Sequence, residues 1–182
     1  MAVGQELEMP ARGSSDTQRK QDEKVIADLV RFTALSFATP FPVPFGAAIV
    51  HSRTCELLYR GRNAVAREND PSSHAETRAV RKACQKLRTI SLAGYTLYST
   101  CEPCPMCMAN ALWAGMDRVV FGATIADANE FCRQILVPAL EVSQRSDMPC
   151  EVVGEVEREL CRSLFHDPRM VEAFKSWGTR KA

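Results

Sequence analysis

Two short segments about thirty residues apart limit what this chain can fold into, because their side chains make chemical sense only if the fold joins them. The first is Ser73-His74-Ala75-Glu76. The second is Cys101-Glu102-Pro103-Cys104-Pro105-Met106-Cys107. Each has the marks of a helix start. Ser73 is a candidate cap and completes a Ser-x-x-Glu capping box with Glu76, while Pro105 suits a first helical position. Cys104 and Cys107, three residues apart, share one helix face. One imidazole and two thiolates are borderline-soft ligands for a tetrahedral Zn²⁺ whose fourth position stays open for water. Glu76 is placed to move protons to and from that water. A helix N-terminus and a metal both favour the thiolate forms.

Each piece has a plainer reading. His74 alone would be a capping or core histidine. Glu76 would complete the capping box, and Cys104 with Cys107 would be a redox pair. The two segments taken together argue against this. A redox pair does not require His74, and a closed structural zinc site needs a fourth protein ligand. Cys101 is the candidate for that ligand, but it falls at a strand end rather than on the Cys104/Cys107 helix face. Cys55, Cys84, Cys132, Cys150 and Cys161 lack ligand spacing and read as structural. His51 and His166 read as surface or loop residues.

With 182 residues, 46% of them hydrophobic, the chain suits one domain with an ample core. A net charge of +1 predicts no strong field for polyanions. No apolar run approaches the ~20 residues of a membrane helix, and the N-terminus lacks a signal core. Eight cysteines in a chain of this size, the tightest group at metal spacing, indicate a reducing cytoplasm rather than a disulfide framework.

Residues 1–20 read as a flexible tail and 21–182 as the folded domain, with a helical C-terminal segment from about 155. An amphipathic helix is predicted from Asp22 to the proline-rich 39–44 stretch. Strands are predicted over 45–51, 57–62, 95–99, 118–121 and 151–153, with helices from His74, through Cys107 to Gly115, over 127–137, and from Glu155 with a break near Asp167-Pro168. Strands alternating with helices predict a sheet covered on both faces.

The segments Pro44-Phe45-Gly46-Ala47, Asn69-Asp70-Pro71-Ser72-Ser73-His74-Ala75-Glu76 and Cys101 to Cys107 together resemble the cytidine deaminase-like superfamily. Within it the chain looks most like bacterial guanine deaminases, with tRNA-wobble adenosine deaminases next, over roughly Asp22 to Val137. The resemblance implies a three-layer α/β/α domain with a five-stranded mixed sheet. It also implies zinc on His74, Cys104 and Cys107, with Glu76 as proton shuttle. Asp127-Ala128 resembles the step whose aspartate assists proton transfer in the guanine branch. Asn63, Phe45, Ala75 and Trp113 match substrate-binding positions. The implied activity is hydrolytic deamination of a free nucleobase, guanine or a related amino-heterocycle, by a homodimer in which Phe174 or Trp177 closes the partner's pocket. Deamination of adenosine in tRNA, served by a patch of Arg169, Lys175, Arg180 and Lys181, ranks second. A non-catalytic zinc-stabilised interaction domain ranks third, because Glu76 is present.

Overall fold

The computed structural model describes residues 15–177. Helix α1, Ser15–Ala34, begins within the stretch expected to be a tail, so residues 15–20 are helical and the remainder of that tail lies outside the described residues. Its stripe of Ile26, Leu29, Val30 and Thr33, at helical spacing, is buried. A short 3₁₀ turn, Leu35–Ala38, follows before the prolines.

The sheet comprises β1 (Gly46–His51), β2 (Leu57–Arg62), β3 (Tyr95–Cys101), β4 (Arg118–Ala123) and β5 (Glu151–Val153) in the order β2-β1-β3-β4-β5. Strand β1 runs antiparallel to both β2 and β3, whereas β3, β4 and β5 are parallel. The helices are α2 (Val65–Glu68), α3 (Ala75–Leu87), α4 (Pro105–Trp113), α5 (Ile125–Asn129), α6 (Ala139–Gln144), α7 (Arg158–His166) and α8 (Pro168–Trp177).

Adjacent strand residues feed opposite cores, as the two-residue strand period requires. Ala48, Val50, Tyr98 and Val120 pack with α1, α7 and α8. Ala47, Ile49, Leu97 and Val119 pack with α3, α4 and α6. The result is the three-layer α/β/α domain with a five-stranded mixed sheet. A buried carboxylate ties the first layer to the sheet. Asp22 accepts from Tyr98 Oη at 2.7 Å and from both terminal nitrogens of Arg118 at 2.8 Å.

The helix expected over 127–137 divides differently. Thr124 and Asp127 form a reciprocal capping box that starts α5 at Ile125, and Asn129 Oδ1 takes the Gln134 N–H at 3.1 Å. That side chain offers the backbone a turn in place of another helical step. Residues 130–138 are irregular, and Pro138 immediately precedes α6 without a side-chain capping bond. Gly115, at φ 65, ends α4 in the left-handed conformation expected of it.

Register sets the geometry on which the site depends. Ala47 pairs with Ser99, so residues 45–46 lie beside 100–101 at the C-terminal end of β3. Gly46 N–H donates to Thr100 Oγ1 at 3.0 Å, and a Cβ at Gly46 would lie 1.9 Å from Thr33 Oγ1. Glycine is therefore required for α1 to approach the sheet. Gly46→Ala should cost about 1–3 kcal/mol through overpacking. In a double-mutant cycle the penalty should shrink in a Thr33→Ala background, where the clashing oxygen is gone; denaturant melts of the four proteins check this.

Candidate active site

The two segments meet at adjoining helix starts. His74 is the residue before α3, Cys104 the residue before α4, and Cys107 sits one turn further on. Their donor atoms all lie within 4.8 Å of one another. His74 Nδ1 is 3.6 Å from Cys104 Sγ and 3.5 Å from Cys107 Sγ. With Zn–S bonds of ~2.3 Å and Zn–N bonds of ~2.0 Å at tetrahedral angles, N and S fall roughly 3.5 Å apart, so the donor set fits this ion. The Cys104 thiol is pulled well below the ordinary range, first by a hydrogen bond from Cys107 and then by His74. Cys101 stays outside the cluster: it is buried, and its Sγ donates to Thr124 O at 3.6 Å.

The expected capping box at Ser73 is not formed. The Ser73 hydroxyl donates to Glu68 Oε2 at 2.7 Å and Asp70 Oδ2 at 2.9 Å, and α3 starts one residue later with no side-chain cap. Two acids upstream outcompete the helix for that hydroxyl, which leaves Glu76 free of capping duty.

Glu76 is 6% exposed and accepts from Ser99 Oγ at 3.3 Å. Burial raises its carboxyl above the usual carboxylate range. Asp22, Glu76 and Asp127 are the buried acids among the described residues. Asp22 is paired with Arg118, and Asp127 with Arg158 and Arg162. Glu76 has no Lys or Arg partner among the described residues, and it lines the same cleft as His74 and Cys104.

That cleft encloses about 720 Å³, within the usual range for small-molecule sites. Phe45 and Asn63 line it, as expected. Asn63 Oδ1 takes the Val65 N–H at 3.0 Å, so its amide NH₂ is the group left for a ligand. Phe45 packs edge-on to Phe165 and stacks on Trp177 at 6.5 Å.

Three expected positions fall elsewhere. Trp113 is 77% exposed at the last residue of α4, while the cleft lies at that helix's first turn. Ala75 has its side chain fully buried in the core beneath the site. Asp127 caps α5 and receives two hydrogen bonds from Arg158, each at 2.9 Å, which hold its carboxyl well below the usual range. It does not line the cleft. Within one chain, the C-terminal aromatic Trp177 lines the cleft, and Phe174 packs on Phe131, Phe165 and Trp177. Sequence reading passed over Glu102 and the Cys132–Gln134 stretch, which also line the cleft. The available signal was the glutamate's position inside the cysteine segment.

With this geometry in view, comparison with known proteins places the class. The cytidine and deoxycytidylate deaminase zinc-binding region matches residues 19–123. The chain belongs to that family. It is 44% identical over 87 residues to the guanine deaminase of Bacillus subtilis (strain 168), a match covering 48% of this chain and 54% of that protein, so it spans about half the relative's length. It is 37% identical over 123 residues to the tRNA-specific adenosine deaminase of the same organism, covering 68% of this chain and 73% of the relative. In structure it is similar to the guanine deaminase from Nitrosomonas europaea, with a TM-score of 0.73 and 18% identity over 95% of this chain and 100% of that one. It is also similar to a tRNA:A34 deaminase, with a TM-score of 0.65 and 24% identity over 78% and 99%. At these identities the structural matches speak for the fold alone.

The three-donor site makes a metal prediction. Cys104→Ala or Cys107→Ala should abolish stoichiometric zinc, whereas Cys101→Ala should retain about one ion per chain. Metal analysis of the purified variants checks it; equal loss in all three would mean a closed four-ligand site.

Proposed function

We propose that this chain hydrolytically deaminates a free amino-bearing heterocycle, guanine or a related aminopurine, releasing ammonia and leaving a carbonyl on the ring. The carrying observation is Glu76, a buried carboxyl with no Lys or Arg partner among the described residues, beside the His74/Cys104/Cys107 cluster. Zinc bound by those three residues supplies Lewis-acid activation of water. Glu76 takes the proton of the attacking water and hands protons to the ring nitrogen and the departing amine. Ser99 Oγ, donating to Oε1, orients that carboxyl. Phe45 offers a flat apolar wall, and the Asn63 amide offers donors to the edge of the ring. Ala75 contributes through its backbone, at a helix start whose N–H groups have no intrahelical partner.

Identity to a tRNA-specific adenosine deaminase over 68% of the chain supports a second reading, deamination of adenosine in tRNA. The proposed phosphate track counts against it. Arg169 is paired with Asp167 and Lys175 with Glu172, while Arg180 and Lys181 lie outside the described residues. Salt-sensitive binding is the mark of such a track, and gel-shift titration with tRNA distinguishes the two readings.

A reducing, cytoplasmic setting agrees with eight free cysteines, and no described helix is long and apolar enough to cross a membrane. We also propose a homodimer, supported by Met106 and Trp113 exposed on α4, a helix start of which carries the site. Light scattering should return about twice the 20.2 kDa chain mass; a monomer at micromolar concentration would remove the dimer.

For the chemistry, Glu76→Ala should keep its zinc while turnover falls by ~10²–10⁴. Ammonia release from guanine, adenine, cytosine, their nucleosides and aminotriazines is the measurement, with the preferred substrate read from the wild type. Near-normal turnover in the variant would remove Glu76 from its role.

A further inference from the structure

Glu102 occupies a position from which one side chain governs the shape of the cleft. It lies between Cys101, the last residue of β3, and the donor Cys104. Its own N–H donates to Ala123 O at 2.7 Å, which fixes it against the end of β4. Its two carboxylate oxygens are divided between two helix starts. Oε2 accepts the N–H of Ile125, the first residue of α5, at 3.0 Å. Oε1 accepts the N–H of Ala139, the first residue of α6, at 2.9 Å. Both N–H groups are of the kind a helix leaves without an internal partner, and a carboxylate is the favoured acceptor there.

Between these two anchor points the chain is irregular from 130 to 138, and it contributes Cys132, Arg133 and Gln134 to the cleft wall. This segment has no helical or strand ladder of its own; Phe131 packs on Phe165 and Phe174 and Asn129 holds the Gln134 N–H, and the two Glu102 ties hold the helix starts on either side of it. We infer that Glu102 is a positioning residue: by tying the starts of α5 and α6 to the loop that carries Cys104, it sets the 130–138 wall at a fixed place relative to the zinc ligands. The wall and the metal site then move as one unit, although they come from different parts of the sheet. The kinetic part of this inference rests on the guanine reading above; the structural part does not.

Two variants test it in the zinc-loaded full chain. Glu102→Ala removes both acceptors. Glu102→Gln keeps one acceptor oxygen and turns an NH₂ towards the other N–H, so one tie is lost. Tyr98→Phe is the control, because it removes a buried hydrogen bond to Asp22 at a residue that does not line the cleft.

Amide hydrogen exchange in residues 125–139 should quicken by about tenfold or more in Glu102→Ala and by less in Glu102→Gln. KM for guanine should rise by about tenfold with kcat within about threefold, the split expected when a wall that binds substrate and transition state alike is displaced. Zinc content should not change, and Tyr98→Phe should lose stability without either effect. Should Glu102→Ala fail to fold, Glu102→Gln carries the same readouts. Unchanged exchange over 125–139, or zinc lost in step with the wall, overturns the assignment. So does a loosened wall with an unmoved KM. If the wild type leaves guanine intact, it is the guanine reading that falls, and the exchange data alone decide for or against Glu102.

Discussion

Convergence of three soft donors from chain positions 74, 104 and 107 within 4.8 Å is the constraint on which the rest depends. Two helix starts must face each other, and the sheet arranges this. β3 delivers the chain to Cys104 at its C-terminal end, and the antiparallel partner β1 begins beside that end. α3 then lies on the face shared with α4, with Ala79, Ala83, Met108 and Ala111 in one core. Small side chains on α3 let it lie close to the sheet, where its first turn reaches the first turn of α4. A register slip of one residue in β1 would turn every one of its side chains to the opposite layer.

The buried acids explain how one fold separates structure from chemistry. Asp22 and Asp127 are each held by arginine: Asp22 joins the helical layer to the sheet, α1 to β3 and β4, and Asp127 joins α5 to α7 within one layer. A buried carboxylate paired in this way is fixed as an anion and acts as a tie. Among the described residues Glu76 is held by the Ser99 hydroxyl and its own backbone N–H rather than by a Lys or Arg, and burial pushes its carboxyl upward. A carboxyl so placed can take up and give back a proton, which the arginine-paired acids cannot readily do.

Much of the site was legible in the sequence because its signals are local. Helix starts, the three-residue spacing of Cys104 and Cys107, the Gly115 stop and the Pro168 break are written within a turn of chain. All of these appear in the structure. The failures share a cause. Ser73 was assigned to cap α3 from spacing alone, but Glu68 and Asp70 fold back to claim its hydroxyl. The stretch after Asp127 has helical composition, but the Asn129 side chain and the Glu102 anchors hold it open as cleft wall.

The sequence by itself determined the candidate donor set, the zinc-binding family and the position of Glu76, since each is carried by residue type and short spacing. Only the tertiary structure decided which acids are neutralised by arginine, that Trp113 faces outward, and that Trp177 stacks on Phe45 in its own chain. Those outcomes belong to contacts between elements far apart in the chain. Asp127 meets Arg158 because α5 and α7 pack together, and nothing within a few residues of either side chain records the other.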